Sequence, residues 1–145
     1  MKIKSINILL IAILSFTLTS CAQNTAKKEV KSTDTKVVQK QPIVELISTT
    51  DLNTKLGDIQ LIDVRTPKEY NDGHIKDAVN INFYDDDFIT QMSKLDKGKE
   101  IYIYCRSGGR SGRAAKKLKA AGFTKVYDLQ GGFINWNKNN LEVTK

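Results

Sequence analysis

From Pro42 onward, short runs of β-branched and aromatic residues alternate with polar stretches that carry an apolar residue at every third or fourth place. Five runs have strand character: residues 43–47 (IVELI), 59–64 (IQLIDV), 78–81 (AVNI), 100–104 (EIYIY) and 125–129 (KVYDL). Helical texture fills the gaps. Ser48 to Asp51 offers an N-cap for a helix through Leu56 that Gly57 stops, and Thr66-Pro67 opens a short helix with proline in its first turn. Residues 83–95 place Phe88, Ile89, Met92 and Leu95 on one face. Residues 111–121 turn Ala114, Ala115, Leu118 and Ala121 inward, and 133–137 form a last helical turn. This alternation predicts an α/β domain over 42–145, with a five-stranded, mostly parallel sheet covered on both faces and 100–104 at its centre.

The first 41 residues have another character. Lys2 and Lys4 precede an unbroken apolar run of seven at 8–14. That is well short of the roughly 20 residues a spanning helix needs, and predicts a signal peptide over 1–20. Leu18-Thr19-Ser20-Cys21 resembles a bacterial lipobox. The resemblance implies cleavage before Cys21 and acylation of its sulfur and new amino group, a multi-chain anchor that would hold the protein in the cell envelope, facing the periplasm. The alternative is ordinary secretion with cleavage after Ala22. Residues 21–41 lack aromatic side chains and read as a Lys-rich flexible tether.

Composition narrows the function classes. With 40% apolar and 27% charged residues, the chain is neither a polytopic membrane protein nor wholly disordered. Two Cys, one His and no Cys-x-x-Cys argue against a structural zinc site and a disulfide framework. The net charge of +7 divides as +2 over 1–20, +3 over 21–40 and only +2 over 41–145. The folded part therefore lacks the basic excess a nucleic-acid binder concentrates there.

The chemistry centres on Cys105. The run Tyr104-Cys105-Arg106-Ser107-Gly108-Gly109-Arg110-Ser111 delivers a cysteine from a buried strand into a Gly-rich loop that leads to a helix N-terminus. Ligands gather at the carboxyl ends of parallel strands. The N–H groups of 106–111 can converge into an anion nest, while Arg106 and Arg110 add permanent charges able to engage an oxyanion. Such surroundings hold a thiol below its ordinary value of about 8.5 and yield a thiolate nucleophile with no histidine base.

With these residues in view, the domain resembles a single-domain rhodanese, a sulfurtransferase. Cys105 to Ser111 matches that family's active-site loop without a gap, and four other segments agree in order: Leu61 to Arg65, Glu69 to Ile75, Gly122 to Leu129, and Gly131 to Trp136. The resemblance implies a three-layer sandwich around the parallel sheet, a persulfide carried on Cys105, and no metal or organic cofactor. It also implies a small anionic sulfur donor such as thiosulfate and a thiol or cyanide acceptor, a thiol-bearing protein included. The related phosphatases and arsenate reductases have one residue more between Cys and Arg, so the loop here fits a sulfur atom rather than a tetrahedral oxyanion. Asp77 and Asn140 stand where the family usually has Gly, and Asn82 and Glu142 where it often has Pro. Asp and Asn tolerate positive φ, so these turns are expected to survive.

Other residues carry two readings. Asp63 and Arg65 steer the loop or substrate, or form a structural ion pair. Ser107 and Ser111 donate hydroxyls to the sulfur, although Ser111 suits a helix cap better. His74 reads as part of a structural turn, and Trp136, Phe133 and Tyr127 as core. Asp85 to Asp87 reads as a solvated helix start. The rival to an enzyme is a non-catalytic oxyanion-binding or sulfur-relay module. An unpaired Cys105 also leaves room for a disulfide-linked dimer as an oxidation product.

Overall fold

The computed structural model describes residues 43–145. The proposed signal peptide, Cys21 and the tether lie outside the described residues.

Five strands form one sheet. In chain order they are β1 (Ile43–Ile47), β2 (Gln60–Asp63), β3 (Val79–Asn80), β4 (Glu100–Tyr104) and β5 (Lys125–Leu129), arranged across the sheet as β1-β5-β4-β2-β3. Every pairing between them is parallel. Five helices connect and cover them: α1 (Thr49–Lys55), α2 (Pro67–Asn71), α3 (Phe88–Met92), α4 (Gly109–Ala120) and α5 (Gly132–Lys138).

Local chemistry starts the helices as the sequence predicts. The Ser48 side chain accepts the Asp51 N–H at 3.0 Å. Thr66 and Glu69 close a reciprocal capping box with Pro67 in the first turn. α3 is shorter than the predicted 83–95. The Phe83 N–H is already taken by Val64 O at 3.2 Å, and Asn82 folds the next residues into a turn by accepting from Tyr84 N–H and donating to Asp85 Oδ1. The chain therefore cannot start a helix before residue 88. Phe88 and Met92 are buried as expected, with Ile89 and Leu95 packed beside them. Asp87 precedes α3 without capping it and accepts from Gln91 instead.

β4 is buried on both faces, as a central parallel strand should be. Ile101, Ile103 and Cys105 point into a core layer with Ala114, Ala115 and Leu118 of α4 and with Phe88 and Met92 of α3. Tyr102 and Tyr104 point into the opposite layer with Leu52, Ile75 and Trp136. Trp136 is fully buried and donates Nε1–H to Glu142 O at 2.9 Å, while Phe133 and Tyr127 are only partly covered.

α5 also sets the position of the chain just beyond β4. The first N–H groups of this helix have no partner inside it. Phe133 N–H donates to Cys105 O at 2.8 Å and Ile134 N–H to Arg106 O at 3.0 Å. Gly132, at φ +59°, makes this approach possible: a Cβ there would meet Cys105 O at 2.4 Å and Arg106 C and O at 2.9 Å. Those are backbone atoms and cannot step aside as a side chain would. Gly132→Ala is therefore expected to destabilise the fold by about 2–4 kcal/mol, read as a lowered urea midpoint and Tm.

Candidate active site

Cys105 follows β4 directly and is 1% exposed. Its sulfur sits inside a tight loop that becomes α4 at Gly109, with Gly108 at φ +101° as the N-cap. A left-handed cap is easy for glycine, which has no Cβ to clash. The predicted helix start at Ser111 is thus two residues late, and Ser111 lies in the first turn of α4.

Ser111 is not the cap. Its Oγ lies 3.5 Å from Cys105 Sγ and 3.2 Å from Gly108 O. Gly108 N–H donates to Sγ at 3.2 Å, and the backbone N–H groups of Ser107 and Ser111 also bond toward the sulfur. Burial pushes the Cys105 thiol up. The Ser111 hydroxyl and the N–H groups of Ser111, Ser107 and Gly108 outweigh it and hold the thiol below its ordinary value. Hydrogen bonds, rather than the arginine charges the sequence suggested, lead the lowering.

The two loop arginines have different surroundings. Arg110 donates from Nη1 and Nη2 to both oxygens of Glu69, each at 2.6 Å. Its guanidinium is committed to a bidentate pair and is not free to clamp a substrate, contrary to the expectation from sequence. Arg106 is exposed and, among the described residues, forms no ion pair. It lines a cleft of about 260 Å³ that also touches Arg65, Glu69, Phe133 and Ile134. A larger hollow of about 690 Å³ lies around the start of β2, β4 and β5, at the end of the sheet opposite Cys105.

Asp63 and Arg65 meet in a buried ion pair. Arg65 Nη2 lies 2.6 Å from Asp63 Oδ2 and also donates to Gly73 O at 2.7 Å. Its guanidinium lies 4.0 Å over the Phe133 ring, so the pair supports the residue whose N–H holds Cys105 O. Of the two readings made from sequence, the geometry favours the structural one. His74 stacks on Tyr70 at 3.8 Å and pairs through its backbone with Thr144, as a structural turn should.

A strand-end cysteine cradled by the N-terminus of the next helix is then matched by sequence. The rhodanese-like domain model matches residues 48–139. The chain belongs to this family. It is 35% identical over 104 residues to a sulfurtransferase of Allochromatium vinosum, across 70% of this chain and 95% of that protein. It is 39% identical over 90 residues to a chloroplastic thiosulfate sulfurtransferase of Arabidopsis thaliana, across 55% of this chain and 75% of that one. A rhodanese-like domain protein from Staphylococcus aureus superposes with a TM-score of 0.60 at 30% identity, covering 70% of this chain and 99% of that one. The family also reaches other chemistry: a tRNA uridine(34) hydroxylase of the Aster yellows witches'-broom phytoplasma is 38% identical over 86 residues, which span 28% of that protein.

Within this rhodanese-like domain, Asp77 and Asn140 take positive φ, 63° and 52°, as expected where other members carry Gly. Two residues near the loop escaped the sequence reading. Glu69 looked like part of a helix start, yet it also neutralises Arg110 across 41 residues of chain. Its signal was present as the fourth residue of a capping box. Asp128 reads as an ordinary strand residue, yet it is buried with Oδ1 lacking a hydrogen-bond partner among the described residues.

Arg110 holds the Glu69 carboxyl down at about 2. Burial opposes this, and the Thr66 N–H and hydroxyl assist. A carboxyl lowered from its unfolded value of about 4.3 adds stability above that pH, and the stability is lost as pH falls through about 2. Because the pair is partly exposed, Glu69→Gln is expected to lower stability at neutral pH by only about 1–2 kcal/mol. The gap to wild type should close in acid, as followed by urea unfolding across a pH series.

Proposed function

We propose that the protein is a sulfurtransferase that moves a sulfane sulfur from thiosulfate, or a related anionic donor, to cyanide or a thiol. The observation that carries this reading is the Cys105 sulfur held by the Gly108 N–H and the Ser111 hydroxyl at the mouth of a short Cys-x₄-Arg loop. The Cys105 thiolate attacks the outer sulfur of thiosulfate. The bond between the two donor sulfurs breaks, and sulfite leaves with its electron pair. The persulfide anion left on Cys105 rests among the same loop N–H groups, which suit a diffuse negative charge. Cyanide then bonds to the outer sulfur, thiocyanate departs, and the thiolate is restored. Arg106 draws the anionic donor in and steadies the departing sulfite, while Arg110 shapes the loop through Glu69. The proposal extends to placement: acyl chains on Cys21 would tether the domain to a cell-envelope membrane, and a Cys21→Ser variant would then leave the detergent phase.

Incubation with thiosulfate should add one sulfur atom to the intact mass, removable by cyanide and absent in Cys105→Ala. Thiocyanate should form with turnover. A folded protein with a reduced thiol that gains no sulfur and makes no thiocyanate overturns the thiosulfate reading and favours a binding or relay role.

Arg106→Ala should raise KM for thiosulfate about tenfold, consistent with the loss of a charge-assisted contact, while leaving Tm unchanged. Steady-state kinetics beside thermal unfolding check this.

A further inference from the structure

β1 is an outer edge of the sheet, paired with β5 alone among the described residues. Its side chains alternate between the two faces. Ile47 joins the layer that holds Leu52 and Trp136, so Val44 and Leu46 point to the face that α4 covers. They stand in register with Val126 and Asp128 of β5. Yet the helix stops short of them: Val44 is 43% and Leu46 68% exposed.

α4 has two flanks. Arg113 and Lys117 lie over the Phe83 ring, at 4.9 and 5.0 Å, and mark the flank toward Phe83 and α3. Gly112 marks the other, since a Cβ there would lie 3.6 Å from Asp128 Oδ2 of β5. Lys116 and Lys119 follow Gly112 at helical spacing on this second flank and are exposed. Neither forms an ion pair among the described residues. Of the carboxyls on β1 and β5, Asp128 is buried and Glu45 belongs to the opposite face. Two bare aliphatic side chains thus lie beside two unpaired ammonium groups. Lysine stems can cover such apolar surface while their heads reach outward to phosphate.

We propose that this edge, Val44 and Leu46 of β1 with Lys116 and Lys119 of α4, is the face on which the domain rests against an anionic lipid bilayer. The aliphatic side chains enter the headgroup boundary and the ammonium groups meet lipid phosphates. The attachment of the chain selects this occupant. Residues 1–42 join the domain at Ile43, the first residue of this same strand, and they include Cys21. The 21 residues between Cys21 and Ile43 span at most about 75 Å, so an anchored domain meets the surface repeatedly and a weak contact suffices. The inference rests on the acylation of Cys21 proposed above for its setting. Docking by this edge lays the strands along the membrane plane. The carboxyl end of the sheet, with Cys105 and Arg106, then opens sideways and stays uncovered.

The test is lysine acetylation by acetic anhydride, a neutral reagent, read residue by residue by mass spectrometry in the full chain. It is run without lipid, with vesicles of phosphatidylcholine, and with vesicles of phosphatidylcholine and phosphatidylglycerol in excess. Flotation with the phosphatidylcholine vesicles reads anchoring alone. With the anionic vesicles, acetylation of Lys116 and Lys119 should fall about fivefold, while that of Lys76, exposed near β3 at the far edge, should not. Salt at about 0.5 M should restore the labelling. So should Val44→Thr combined with Leu46→Gln, both at exposed positions, with Tm unchanged. The same footprint is taken on Cys21→Ser, so docking is read whether or not the anchor forms. A chain that fails to float yet shows the footprint overturns the anchor alone. Absence of protection at Lys116 and Lys119 overturns the docking face in either chain. Protection shared equally with Lys76, given equally by phosphatidylcholine, or undiminished in the double variant overturns it as well. Should the double variant fail to fold, the wild-type footprint and its salt dependence decide.

Discussion

The loop that follows Cys105 is held from behind by two hydrogen bonds from α5. Because Phe133 N–H and Ile134 N–H hold the carbonyls of Cys105 and Arg106, those carbonyls face away from the sulfur. The amides that follow, Ser107 and Gly108 among them, are then free to turn inward. A loop of this size has few other ways to satisfy buried carbonyls. The close approach of α5 depends in turn on the missing side chain at Gly132. The buried Asp63–Arg65 pair lies behind this contact, its guanidinium against Phe133. Breaking such a pair would leave an uncompensated charge in the interior, so the pair holds this corner to one packing.

The division between legible and illegible features follows distance along the chain. The β4–Cys105–Gly108 run was readable because strand, nucleophile, turn and helix start are contiguous. The left-handed turns at Asp77 and Asn140 were readable because the residue type carries the conformation. The premature extension of α3 has another origin. Residues 83–87 have helical periodicity, but the Phe83 N–H is captured by Val64 across the sheet, and periodicity does not record that capture. The mistaken freedom of Arg110 is of the same kind, since its partner Glu69 lies 41 residues away. Likewise the burial of Asp128 depends on β5 being in register with β4 and on Gly112 baring the helix beside it. Ser111 moved from cap to sulfur ligand because two successive glycines let α4 begin earlier than its side-chain pattern suggests.

The electrostatics of the site are likewise divided by depth. The inner charges, Asp63 with Arg65 and Glu69 with Arg110, are paired and serve geometry. The outer one, Arg106, is exposed and faces whatever enters the cleft. The sulfur lies between these two zones and is tuned mainly by neutral dipoles, the loop amides and one hydroxyl. Neutral donors stabilise an anion without placing a fixed counter-ion beside it. Such donors can therefore outweigh the cost of burial and hold the thiol below its ordinary value.

The depth of Cys105 has a bearing on how copies of the chain meet one another. A disulfide requires two sulfurs about 2.05 Å apart with their Cβ atoms about 3.8 Å apart. The cysteine is only 1% exposed and its loop is clamped by α5, so the sulfur of the folded domain lies back from the surface that a second copy would meet. A covalent dimer through two Cys105 sulfurs would first require the loop to open. The recess thus works as insulation, setting the sulfur of one domain apart from the same sulfur on a neighbouring molecule.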